Sequence, residues 1–278
     1  MNWLKKHTIF SSLLVFILLL IGWITWDNKH IETTVYNIED TKIPASLNGF
    51  TIAQVSDLHN KDWGDQLIDR LTEAKPDLIV VTGDLIDSRK TDLPTAITFI
   101  NEASTIAPIY YVTGNHEARI AEYEELIEST SDSVILLDNQ QTVLEAGNDD
   151  VRLIGLQDPS FPTADTETHL QHLTDDYDGY TLLLSHRPEL FETYERYHID
   201  LVLSGHAHGG QFRLPFIGGL VAPNQGFFPT YSAGLYAEGE TTMIVSRGLG
   251  NSLFPFRVNN PPELVIINLF KEAFPNQE

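Results

Sequence analysis

Seven residues of this 278-residue chain combine types and spacing suited to holding cations: Asp57, His59, Asp84, Asn115, His186, His206 and His208. They offer carboxylates, neutral imidazoles and one amide oxygen. With no sulfur among them, the set suits Zn²⁺, Mn²⁺ or Fe rather than copper or an iron–sulfur cluster. Seven donors exceed the roughly three or four that one catalytic zinc uses. Their number fits two metals sharing one bridging carboxylate, and two such ions can bind both the attacking and the leaving oxygen of a phosphoryl transfer. Asp-x-His or Gly-Asp alone is a common accident. Gly205-His206-Ala207-His208 says more, because a core rarely holds two neighbouring unsatisfied imidazoles.

Each group stands where an apolar run stops. Phe50–Val55 leads into Asp57-Leu58-His59, and Asp77–Val81 into Gly83-Asp84. Ile109–Val112 leads into Gly114-Asn115-His116-Glu117, Thr181–Leu184 into His186, and Leu201–Leu203 into the Gly-His-x-His segment. Between them, Asp65–Ala74, Leu93–Ser104, Ala121–Ser129 and Leu190–Tyr197 carry the apolar spacing of helices. Further strands are expected at Val134–Leu137, Gln141–Leu144, Val151–Leu156, Thr242–Val245 and Leu264–Leu269. The pattern predicts an α/β fold in which five strand ends converge, and in such folds ligands bind beyond the carboxyl ends of the strands.

The net charge is −22, from 17 Lys+Arg against 39 Asp+Glu, and there is no cysteine. Disulfides, thiolate catalysis and Cys-based zinc sites are therefore excluded. Broad binding to nucleic acid is not expected, because phosphate backbones are held by basic surfaces. Thr8 to Trp26 contains no charge, and nineteen helical residues rise roughly 28 Å, close to the thickness of a bilayer core. Lys5 and Lys6 precede the run, so the positive-inside rule predicts a cytoplasmic N-terminus and an exported remainder. No small-x-small cleavage site follows, which favours a single-pass anchor in the cell membrane over a signal peptide. The expected organisation is a cytoplasmic stub and transmembrane anchor over 1–26, a stalk and edge strand (Thr33–Ile43) over 27–49, and one working domain over 50–278.

Together, Asp57-x-His59, Gly83-Asp84-x-x-Asp87, Gly114-Asn115-His116-Glu117, His186 and Gly205-His206-x-His208 resemble the signature of the calcineurin-like metallophosphoesterases, over about residues 50–210. Segments nearer the C-terminus, such as Tyr231–Tyr236 and Ser246–Gly250, are similar to its bacterial membrane-associated or exported branch. The resemblance implies a four-layer αββα sandwich of two mixed sheets flanked by helices, here preceded by one transmembrane helix. It also implies two divalent metal ions, Mn²⁺, Zn²⁺ or Fe with Mn²⁺ first among them. Asp57, His59 and His208 would hold one, Asn115, His186 and His206 the other, with Asp84 bridging. His116 would contact the phosphate and protonate the leaving oxygen, oriented by Asp87, which would favour its charged form. The nucleophile would be a metal-bound hydroxide. Position 207, often threonine in the family, is alanine here.

The implied activity is hydrolysis of phosphodiester or pyrophosphate bonds, in a small phosphoester or a lipid-linked or cell-envelope molecule. The alternatives are a broad phosphomonoesterase or nucleotidase, and a non-catalytic envelope-binding protein. Phe212–Phe228 and Leu249–Phe256 are rich in apolar residues and read either as ordinary packing or as a lip for an acyl chain. Arg247 and Arg257 are candidates either for phosphate binding or for structural ion pairs. Nothing in the sequence sets the oligomeric state.

Overall fold

The computed structural model describes residues 2–146, 149–251 and 253–272, and the side chains of Lys5 and Lys6, Ser252 of the second apolar loop and residues 273–278 of the expected domain lie outside that description. The chain opens with helix α1 (Asn2–Asp27) and strands β1 (Glu32–Asp40) and β2 (Phe50–Val55). Then follow α2 (Asp65–Ala74), β3 (Leu78–Thr82), α3 (Leu93–Ala103), β4 (Ile109–Val112), α4 (Tyr123–Thr130) and β5 (Ile135–Leu136). The second half runs β6 (Gln140–Ala146), β7 (Asp149–Gly155), α5 (Thr166–Thr174), β8 (Thr181–Leu184), α6 (Phe191–Arg196) and β9 (Leu201–Ser204). Four two-residue strands come next: β10 (Arg213–Leu214), β11 (Gly218–Gly219), β12 (Val221–Ala222) and β13 (Gly226–Phe227). The last strands are β14 (Gly234–Glu238), β15 (Thr241–Val245) and β16 (Glu263–Lys271).

Two six-stranded mixed sheets result, in the orders β1-β16-β2-β3-β4-β5 and β14-β15-β9-β8-β7-β6. Leu78 and Val80 of β3 point between the sheets with Leu182 and Leu184 of β8, whereas Ile79 and Val81 face the helices. Phe99 and Ile100 of α3 cover the outer face of the first sheet, and Phe191 and Tyr194 of α6 cover that of the second. Strands buried on both faces carry no polar alternation, which is why they read as continuous apolar runs. The expected four layers of two mixed sheets flanked by helices are present. Ile267 of β16 is fully buried between the sheets. Ile267→Val should lower unfolding free energy by about 1 kcal/mol, read as a lower urea midpoint at unchanged slope.

His7–Asp27 of α1 is long and apolar enough to cross a membrane, and none of its apolar stretch is buried in the protein. Its exit is pinned. The Asn28 side chain donates to Arg257 O at 2.8 Å and accepts from Arg257 N at 2.7 Å, and Ile31 N donates to Gln66 Oε1 at 2.9 Å. β1 then pairs in parallel with β16 along its whole length, at the edge of the first sheet.

Candidate metal centre

The five strand ends named above meet at one place. Asp57, His59, Asp84, His206 and His208 all adopt left-handed backbone, with φ between 48° and 66°. Such conformations are unfavourable for residues other than glycine, and they cluster where function requires them. The turns also demand close approach. A Cβ on Gly205 would land on Ser56 Oγ and Asp57 Oδ2, so only glycine lets β9 pass the end of β2.

Three groups of side chains form at these ends: Asp57, His59, Asp84 and His208; Asp84, His186 and His206; and His59, Asp87 and His116. Asp84 belongs to the first two. Its Oδ1 accepts from His116 N at 2.8 Å, and its Oδ2 lies 3.3 Å from His186 Nε2 and 3.6 Å from His59 Nε2. Asp57 Oδ2 accepts from Ser56 Oγ and His206 N at 2.6 and 3.0 Å, while its Oδ1 sits 3.2 Å from His208 Nε2. Each carboxylate thus spends one oxygen on the protein and aims the other at imidazoles.

The donor set fits cations. His186 Nδ1 lies 2.7 Å from Thr82 O, and a carbonyl only accepts, so the ring proton sits on Nδ1. In the neutral ring the lone pair on Nε2 then faces Asp84 Oδ2 and, at 3.2 Å, His206 Nδ1. His59 Nε2 and His208 Nε2 stand 3.1 Å apart, and the buried Asp57 Oδ1 and His59 Nδ1 have no hydrogen-bond partner. The amide of Asn115 turns towards His206 Nδ1 at 2.8 Å, where its nitrogen would donate to a bare ring nitrogen and its oxygen would accept from a protonated one. Lone pairs converging on a dry site are favourable only around positive charge.

The buried carboxylates and imidazoles also shift one another's proton affinities. Burial pushes the Asp84 carboxyl up, but the His186 and His59 imidazoles outweigh it and hold the group well below its ordinary range. Burial likewise disfavours charge on His186, yet Asp84, Asp57 and Asp158 raise it to about 10. His206 goes the other way, down to about 3, through burial and then the charges of His186 and Arg187. Its Nε2 lies 2.9 Å from Arg187 Nη1, and Arg187 is clamped by Asp158 at 2.5 and 2.8 Å.

Glu117 is the residue whose part the motif reading leaves unassigned. Fully buried, it accepts from the backbone N–H groups of Asp84, Leu85, Ile86 and Gly114 at 3.0, 2.7, 3.3 and 2.8 Å. It ties the loop after β3 to the loop after β4. Burial, followed by the nearby Asp84 charge, raises its carboxyl to about 7.

His116 departs from the expected arrangement. Its Nδ1 accepts from Ser88 N at 2.9 Å, whereas Asp87 Oδ1 is 3.5 Å away and the Asp87 carboxylate is gripped by Arg89 at 2.6 and 2.9 Å. The ring is oriented by a backbone N–H, and burial lowers its pKa, so the charged form is not the favoured one. His116, Asn115, His206 and His208 line a pocket of about 180 Å³ with Ser88, Arg89, Arg119, Pro223, Asn224 and Leu253. Larger hollows of about 330 and 490 Å³ lie between α2 and α3 and around Lys42, but neither gathers imidazoles.

The two arginine candidates prove structural. Arg247 pairs with Glu263 at 2.8 Å and Glu32 at 3.1 Å. Arg257 is fully buried, donates to Arg247 O and Gly250 O, and lies 3.4 Å from His208 Nδ1. Arg89 and Arg119 are the arginines that line the pocket. Core packing accounts for part of the two apolar segments: Ala222 and Leu249 are buried, whereas Phe216, Ile217, Phe227, Phe228 and Leu253 are exposed.

The profile of the calcineurin-like phosphoesterase family matches residues 50–210. The chain is 32% identical over 249 residues to the uncharacterized metallophosphoesterase YkuE of Bacillus subtilis, spanning 86% of this chain and 85% of that one. It is 32% identical over 205 residues to the phosphodiesterase YaeI of Escherichia coli, spanning 71% and 72%. With a transmembrane protein with metallophosphoesterase domain from Danio rerio it shares 30% identity over 249 residues, spanning 82% of this chain and 55% of that one.

Proposed function

This chain belongs to the calcineurin-like phosphoesterase family, and we propose that it is a membrane-anchored hydrolase of phosphodiester or pyrophosphate bonds. The favoured substrate is a lipid-linked or cell-envelope phosphoester. The observation that carries the reading is the pair of imidazole–carboxylate groups sharing Asp84 at the base of a pocket lined by both arginine and leucine. The name of the relative YaeI supports the diesterase type. We read 1–26 as a cytoplasmic stub and anchor, 27–49 as the connection, and 50–278 as a phosphoesterase domain outside the cytoplasm.

In this reading Asp57, His59 and His208 hold one divalent ion and Asn115, His186 and His206 a second, with Asp84 shared. Mn²⁺, Zn²⁺ and Fe all suit the donors, with Mn²⁺ first. When bound, such ions polarise phosphoryl oxygens and lower the pKa of water. The chain supplies the rest. With Ser88 N–H occupying Nδ1, neutral His116 carries its proton on Nε2, 3.9 Å from Asp84 Oδ2, ready to donate to a phosphoryl or leaving-group oxygen. In this reading Asp87, 3.5 Å from Nδ1 and held by Arg89, bears on that ring through its charge and not through a hydrogen bond. Arg119 and Arg89 at the mouth suit further phosphate oxygens, as a diester or pyrophosphate requires.

The test is metal analysis of the purified chain combined with initial rates on bis(4-nitrophenyl) phosphate, 4-nitrophenyl phosphate and a lipid pyrophosphate. Chelation by EDTA should abolish hydrolysis and lower the melting temperature, and Mn²⁺ should restore both. A large preference for the monoester would replace this reading with a phosphomonoesterase or nucleotidase. Metal-replete protein that hydrolyses none of the three would leave a non-catalytic envelope-binding protein.

A further inference from the structure

A hydrophobic shelf lies beside the metal pocket. Phe216, at the tip joining β10 to β11, is fully exposed, and Phe227 and Leu253 are 80% and 79% exposed. Ile217, Phe254 and Phe256 are exposed in the same two segments. The second segment is held against the foot of the first. Gln211 Nε2 donates to Phe256 O at 2.8 Å, and the Phe212 ring meets those of Phe254 and Phe256 at centroid distances of 5.1 and 5.7 Å. Rigid apolar surface of this kind is what soluble monomers avoid and interaction sites display.

Chain connectivity indicates what covers it. Asn28, the first residue beyond α1, grips both backbone groups of Arg257, so Phe256 is fixed next to the point where the helix leaves the domain. Trp23 and Trp26 are exposed on the last turns of that helix, within roughly 8 Å of Asn28 along its axis. Aromatic residues at such a position mark the boundary between headgroups and acyl chains. Phe256, at the edge of the shelf, is therefore level with that boundary. A chain of net charge −22 gains nothing from anionic headgroups, which leaves apolar burial as the means of contact.

We infer that the shelf formed by Phe216, Ile217, Phe227, Leu253, Phe254 and Phe256 inserts into the bilayer leaflet from which α1 emerges, seating the metal pocket at headgroup level. The inference rests on α1 spanning the membrane. An apolar cavity of about 160 Å³, lined by Val221, Ala222, Phe254 and Gln211, shares His208, Pro223 and Leu253 with the metal pocket. It connects the shelf to the site and suits the first carbons of an acyl chain whose phosphoester lies at the metals.

The absence of cysteine makes the test direct, since one introduced thiol is a unique labelling site. Full-length Phe216→Cys, Phe227→Cys, Leu14→Cys and Val143→Cys proteins would carry an environment-sensitive fluorophore in phosphatidylcholine–phosphatidylglycerol vesicles bearing acyl-chain nitroxides. Val143, exposed on the far edge strand β6, is the reference, and Leu14 reports the helix. The labels at 216 and 227 should be quenched at least about twofold more than that at 143, as expected for groups roughly 5–10 Å below the headgroups. Quenching at 14 with 216 and 227 no different from 143 overturns the inference and leaves the spanning helix standing. No quenching at 14 removes the spanning helix and the inference with it. Protection of 216 and 227 from aqueous iodide without lipid quenching would mean that a second copy covers the shelf, which also overturns it.

Discussion

Asp84→Asn should lower kcat/KM for bis(4-nitrophenyl) phosphate by at least about a thousandfold. One unit charge about 4 Å from a cation is worth roughly 4 kcal/mol at an effective dielectric of 20, and each 1.4 kcal/mol is a factor of ten. Asparagine keeps the shape and can still accept from His116 N, so the fold has no reason to change. What disappears is the negative oxygen facing His186 and His59. Bound metal per chain, measured on the same preparation, should fall with the rate. A variant that keeps both wild-type activity and full metal content would remove Asp84 from the proposed shared position.

Glu117→Ala should be the most destabilising single change in the site. Four backbone N–H groups lose their acceptor, and each buried donor left unpaired costs about 1–3 kcal/mol. Relief of repulsion between Glu117 and Asp84 works in the opposite direction, as does water entering the vacated space. The donors outnumber those gains, and the expected net loss is about 4 kcal/mol, or a melting temperature lower by about 10 °C. Glu117→Gln separates the two effects. It removes the charge and keeps one acceptor, and should lose about half as much. Calorimetry on both variants decides; equal stability of Glu117→Ala and wild type would mean that the two loops are held by something else.

The strand ends were legible because two independent patterns coincide there: a run buried on both faces, then a donor residue at once. Phe50–Val55 and Thr181–Leu184 have the bounds read from composition alone, since fully buried strands leave no doubtful flanks. The supporting shell was not legible. The Arg187–Asp158 pair joins residues 29 apart, and Asn28 meets Arg257 across 229, so no local spacing announces either. Ser88 acts on His116 through its backbone N–H, which every residue except proline has. β10 to β13 are two residues each, too short for any period, so the sequence leaves Phe216, Phe227 and Phe228 open between packing and an exposed lip, and the structure shows them exposed. Glu117 stood inside a quoted motif, but its work as a four-point acceptor depends on where β3 and β4 end in space.

The parallel ladder between β1 and β16 has a bearing on how the protein is made. Among the described residues β1 precedes every other strand, and its only ladder partner among them is β16, which follows every other strand. Glu32 pairs with Glu263 and Asp40 with Lys271, so no early portion of the chain can complete the first sheet. That edge stays open until β16 has been made, a long-range closure that is slow and exposed to mispairing. Arg247 then ties the same two strands through Glu32 and Glu263, so the final pairing also sets the ion pairs behind the site. Closure of this sheet edge and the setting of those ion pairs become one late event.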